Sequence, residues 1–305
     1  MTRPARGTGG LLGAFVLAAG ASRAGYAGLR ARGGDRWVRP NHAGRDVGLW
    51  AGPAVALGAA VGAGRGPAAF AVLAAGACGA YDDVRGDQRR GSRAHLAALR
   101  DGRVTSGTVK LLGIGAASLV AGALLKERPV DQVLAAVVIA GTARLGRVSK
   151  VPPAWRRLAR TLAALSGSPR YHQYRGDPPP CDRTHQTPPG LPSGQTTPLL
   201  KHALVDLVDV RPGRAGLTVL ALGAPGLLRG DLAAAPMGAV AAVLGDDLGE
   251  RTMLGGTGAC ALGAAVGSAI AEGNGRLGLA AHAVGLVAAV CWAEGANPPY
   301  AHPGG

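Results

Sequence analysis

Nine stretches of this 305-residue chain carry no Asp, Glu, Lys or Arg: residues 7–22, 47–64, 66–81, 111–125, 132–143, 215–228, 232–245, 252–271 and 277–293. A helix crosses the hydrocarbon of a bilayer with ~20 apolar residues, range about 17–25. The stretches 47–64, 252–271 and 277–293 meet that range outright. The other six reach it when a flanking charged side chain extends to the headgroup level. Buried helices of soluble proteins also contain apolar runs of about 10–14 residues. Nine runs with almost no polar face favour a membrane bundle over that alternative. The sequence therefore predicts an all-α, polytopic membrane bundle of about nine short helices. With 51 glycines and an aromatic content of 4%, the helices can approach closely through small residues. A GC-rich coding bias towards Ala, Gly, Arg and Pro contributes to the same composition.

The charges between the runs give orientation, because cytoplasmic loops collect Lys and Arg. Residues 23–46 hold six basic residues, 82–110 hold seven and 144–201 hold ten. The turns between them, at Arg65 and at Lys126–Asp131, hold one and two. This alternation predicts a multi-pass plasma-membrane protein with its N-terminus outside and the three basic stretches in the cytoplasm. Gly245–Arg251 then lies inside and Glu272–Arg276 outside. The first run also has the charge pattern of a signal peptide, but no clear cleavage site follows it, so it is read as a helix. The net charge of +15 becomes a set of loops facing anionic lipid headgroups. Nucleic acid is not expected as a partner, since the basic loops lack aromatic stacking residues. Cys78, Cys181, Cys260 and Cys291 have no metal-ligand spacing.

The expected organisation is 1–143, membrane helices with loops 23–46 and 82–110; 144–202, an insertion; 203–293, further membrane helices; and 294–305, a tail. Ten of the 21 prolines fall between Pro152 and Pro198. This segment reads as a solvated, disordered Pro/Arg-rich insertion, with a short basic interfacial helix at Trp155–Leu165. A partner-docking lid and a local shift of reading frame are the alternatives.

Candidate chemistry gathers in the stretches assigned to the cytoplasmic side. Asp82 and Asp83 end the third apolar run, and adjacent carboxylates can hold Mg²⁺ together with substrate oxygens. Asp206 and Asp209 share a helical face at i, i+3 spacing, followed by Arg211 and Arg214, which can meet phosphate. Glycines at 245–263 let backbone N–H groups approach an anion. RPNHAGRDVG at 39–48 contributes Asn41 and Arg45. Each also has a plain structural reading: a helix stop, snorkelling boundary charges, or close packing through glycine.

In order along the chain, RPNHAGR, GAYDD, LVDLVDVRPGRA and GERTMLGGTGACALGAAVG resemble the polyprenyl-phosphate N-acetylhexosamine-1-phosphate transferases. These include the phospho-MurNAc-pentapeptide and UDP-GlcNAc transferases, glycosyltransferase family 4. The resemblance covers most of residues 37–270 outside the insertion. It implies an α-helical membrane enzyme of cell-wall, peptidoglycan or surface-glycan biogenesis. Such an enzyme moves a sugar phosphate from a UDP-sugar to polyprenyl phosphate with Mg²⁺ and releases UMP. It implies catalytic roles for Asp82, Asp83 and Asp209, with Mg²⁺ on Asp82 and Asp83. Asn41, Arg45, Asp206, Arg211, Arg214, Thr257 and Gly258 become substrate contacts, and a homodimer is a further expectation. The chain departs from the family where a metal-binding aspartate of the GDTG motif falls on Gly256, where motif asparagines fall on Ala203 and Asp206, and where a late histidine-rich loop is missing. A non-catalytic membrane scaffold is one alternative reading. A transporter is another, although the apolar runs hold almost no polar residue apart from His282.

Overall fold

The computed structural model describes residues 8–41, 44–64, 66–86, 92–145 and 213–295. Helices account for 83% of them, so the chain is mostly α-helical. Ten α-helices occur among the described residues: α1 (Thr8–Arg32), α2 (Ala51–Ala63), α3 (Pro67–Arg85), α4 (Ser92–Arg100), α5 (Ser106–Leu125), α6 (Pro129–Leu145), α7 (Arg214–Gly223), α8 (Ala234–Leu248), α9 (Gly255–Gly273) and α10 (Arg276–Gly295). Each of the nine charge-free stretches overlaps one of these helices. The tenth, α4, falls in the basic stretch 82–110. Of the expected insertion at 144–202, all but residues 144–145 lie outside the described residues, as do residues 296–305 of the expected tail at 294–305.

The helix limits follow local chemistry. α3 opens with Pro67 at its first position, where the missing N–H costs nothing. α5 opens at Thr105, whose side chain accepts from Thr108 N, a side-chain N-cap. α2 has only 13 residues, about 20 Å at 1.5 Å per residue. The run 47–64 is thus shorter as a helix than as a charge-free stretch. Among the described residues, only α5 is both long and apolar enough to cross a membrane by itself.

Helix α9 is the central element. It packs against α2, α3 and α6, while α1 packs against α2 and α8. Every residue from Gly256 to Ser268 is buried, so its polar N-terminal motif is walled in by other helices. Close approach depends on glycine at the crossings. A Cβ on Gly79 of α3 would lie 2.5 Å from the carbonyl oxygen of Gly256. The core consists largely of Ala, Val and Gly, with few large side chains. Large apolar side chains instead face outward, among them Leu12, Val16, Leu73, Leu119, Leu124 and Val284.

One non-helical element stands at the end of the bundle where α3 finishes and α9 begins. Strands β1 (Val38–Pro40) and β2 (Asp46–Gly48) pair antiparallel with Arg39 opposite Val47. Asn41 closes the hairpin by accepting Arg45 N at its side-chain oxygen, 2.9 Å. The sequence reading treated 23–46 as a loop and did not foresee this ribbon.

Candidate functional site

The segment from Asp246 to Thr257 ties together the end of the bundle at which α3, α8 and the hairpin meet. Asp246 accepts from Arg23 of α1 at 2.6 Å and pairs with Arg251 at 2.9 Å. Glu250 accepts from Asn41 Nδ2 at 2.8 Å and also pairs with Arg45. Thr252 Oγ1 donates to Gly48 O at 2.7 Å, and Gly48 and Thr252 form a parallel bridge. Glu250 is a non-glycine residue at φ 55, a backbone state that persists only when surrounding contacts hold it. Asn41 and Arg45 supply such contacts.

Asp83 then joins α3 to α9. Its Oδ1 accepts from Gly256 N at 2.9 Å, and its Oδ2 accepts from Thr257 N at 2.8 Å and Thr257 Oγ1 at 2.7 Å. Helix α9 has no side-chain cap of its own. A carboxylate at a helix N-terminus satisfies orphan N–H groups and opposes the helix dipole. Asp83 is therefore a cap delivered from another helix. Its carbonyl oxygen accepts from Arg39 Nη2 at 2.9 Å, which secures the hairpin to α3.

Asp82 faces α5. Its Oδ1 accepts from Ser106 Oγ at 3.0 Å, and its Oδ2 accepts from Lys110 Nζ at 3.3 Å. The side chains of Lys110 and Asp82 are 11% and 12% exposed, which makes this a largely desolvated ion pair. Lys110 Nζ also lies 3.5 Å from the point where a Cβ on Gly256 would sit. Position 256 thus faces both the ammonium and Asp83.

Of the residues singled out from sequence, the structure brings Asp82, Asp83 and Thr257 together. Asn41 and Arg45 meet Glu250 in the same hydrogen-bonded layer. Gly258 is a packing position, because a Cβ there would lie 3.1 Å from Gly52 Cα. Asp206, Asp209 and Arg211 lie outside the described residues, as does the side chain of Arg214, whose backbone starts α7. Sequence reasoning overlooked Lys110, Ser106 and Glu250.

The described carboxylates do not fit a divalent cation as they stand. Both oxygens of Asp83 serve the start of α9, and an ammonium occupies Asp82. Among the described residues no group of three acidic, histidine or cysteine side chains is placed to hold a metal. Gly256 offers no carboxylate as a third ligand.

A further carboxylate lies behind this layer. Asp247, at the end of α8, is buried and accepts from Gly213 N at 2.8 Å. Burial pushes its carboxyl group up to about 7, and the Gly213 bond offsets part of that rise. No family model, no curated protein and no solved structure matches this chain.

Proposed function

We propose that the chain is a polytopic membrane protein built on the plan of the sugar-1-phosphate transferases that its motifs resemble. The observation that carries this reading is the meeting of three sequence-distant motifs on Asp83: Arg39 of the hairpin, the Asp82-Asp83 pair and the start of α9. The membrane part rests on two further observations. Small residues fill the interior while large apolar ones face outward. A soluble domain of this size would place its large apolar residues inside.

The second observation is charge. At the hairpin end, nine arginines are exposed (residues 23, 30, 32, 36, 45, 85, 100, 103 and 251) against three exposed aspartates (35, 46 and 101). At the opposite end, Lys126, Arg128, Arg229 and Arg276 are balanced by Glu127, Asp131, Asp231 and Glu272. This asymmetry supports a cytoplasmic hairpin end.

In this reading an oxygen of polyprenyl phosphate attacks the β-phosphorus of a UDP-sugar. The new P–O bond joins lipid phosphate to sugar phosphate, the bond from the β-phosphorus to the bridging oxygen breaks, and UMP leaves carrying that oxygen. Most of such catalysis is positioning and charge neutralisation. Lys110 supplies the buried positive charge nearest Gly256, Asp82 and Ser106 fix its position, and Asp83 holds the α9 backbone in register. A second reading, a non-catalytic membrane homologue, is favoured by one observation: Asp83 is committed to capping α9 while residue 256 brings no carboxylate.

UMP release in membranes containing polyprenyl phosphate and UDP-GlcNAc separates the two. The transferase reading expects release by the natural chain and its loss in Asp82→Asn. Release only by Gly256→Asp supports the non-catalytic reading. No release by the natural chain across a panel of UDP-sugars rejects the transferase reading.

A further inference from the structure

Among the described residues, α4 is the one α-helix outside the nine apolar runs, and hydrogen bonds fix its placement. His95 Nδ1 meets Thr105 Oγ1 at 2.8 Å, and Thr108 Oγ1 donates to His95 O at 3.2 Å. Ala98 is buried, so one face of α4 lies against the bundle. The other face exposes Leu96, Ala97 and Arg100. Beyond it, Val104 is 70% exposed, next to an exposed Arg103–Asp101 pair at 3.4 Å. Helix α5, which begins two residues after Val104, exposes Leu112, Leu119 and Leu124 along its length.

An exposed leucine and valine at the basic end of a membrane-length apolar stripe stand where a bilayer turns from acyl chains to headgroups. Apolar side chains there gain by shallow insertion, and flanking arginines gain from anionic headgroups. We infer that α4 is a membrane-surface helix that docks on anionic lipid, with Leu96 and Val104 inserted and Arg100 and Arg103 on lipid phosphates. This rests on the membrane reading above and adds a specific lipid contact to it. Because α4 is bonded to the first turn of α5, the lipid contact bears on the segment that carries Ser106 and Lys110.

The test uses the full chain in lipid nanodiscs, with Cys78, Cys181, Cys260 and Cys291 replaced by Ser. A fluorophore is attached through Leu96→Cys, or through Ala97→Cys should the first variant fold poorly, and separately through Leu119→Cys. Shallow spin-labelled lipid should quench the probe at 96, and quenching should rise about twofold or more when a third of the lipid is phosphatidylglycerol. Arg100→Glu with Arg103→Glu should abolish that rise. Quenching at 119 but not at 96 overturns the α4 proposal and leaves the membrane reading intact. Quenching at 96 that ignores phosphatidylglycerol also overturns it. Absence of quenching at both 119 and 96 rejects the membrane reading itself.

Discussion

Replacing Asp83 by alanine tests whether this carboxylate is the cap of the central helix. The change removes three hydrogen bonds at once: Gly256 N, Thr257 N and Thr257 Oγ1 all lose their acceptor. Hydrogen bonds to charged groups are worth about 1.5–3 kcal/mol each in favourable settings. Loss of a helix N-cap costs about 0.5–2 kcal/mol as a unit. Asp83 is half-buried, and water can reach part of the exposed helix start, so about 3 kcal/mol is expected for Asp83→Ala. For a cooperative unit of this size that lowers Tm by about 6–12 °C. Asp83→Asn keeps one acceptor oxygen and should lose about half as much. Thermal unfolding in detergent reads the total effect, and amide exchange reads its place. Protection at Gly256 and Thr257 should fall by about two orders of magnitude, while α10 amides stay unchanged. A Tm within about a degree of the natural chain, with protection retained at both amides, would refute the cap.

Other expectations follow from the same geometry. Lys110→Met should destabilise by about 3 kcal/mol by leaving Asp82 buried without its counter-ion. Adding Asp82→Asn should recover most of that loss, which a double-mutant cycle of melting curves would detect. Asp247 carries a raised folded value of about 7, so its contribution to stability is present at low pH and is lost as pH rises through 7. That loss amounts to at most about 4 kcal/mol and falls between about pH 4 and pH 7, so Asp247→Asn should flatten the pH–stability curve over that range. A Cβ on Gly238 of α8 would meet backbone atoms of Phe15, with Phe15 C at 2.9 Å. Gly238→Ala should therefore cost about 1–3 kcal/mol, whereas Gly115→Ala, with open space around it, should be neutral or stabilising by up to about 1 kcal/mol.

The helices were legible because charge placement alone marks them: each of the nine apolar runs overlaps a helix. Their burial was less legible. The run 252–271 looks like a lipid-crossing segment, yet α9 is enclosed on nearly every side, since Ala and Gly read alike whether they face lipid or a neighbouring helix. The ribbon at 38–48 was missed because its strands are three residues each, too short for a period to register. At the site, Asp82, Asp83 and Thr257 were found because each sits in a local motif. Lys110 and Glu250 were not, because their partners lie 28 and 209 residues away, and one sequence holds no trace of that distance.

The most direct measurement is the sidedness of the two bundle ends in sealed cells. Single cysteines replace exposed Arg103, at the hairpin end, and exposed Arg229, at the opposite end, in the cysteine-free background. With a membrane-impermeant maleimide, position 229 should label in intact cells and position 103 only after permeabilisation. Labelling of both positions from the same side, or recovery of the chain in the soluble fraction, would contradict the membrane bundle and its cytoplasmic site.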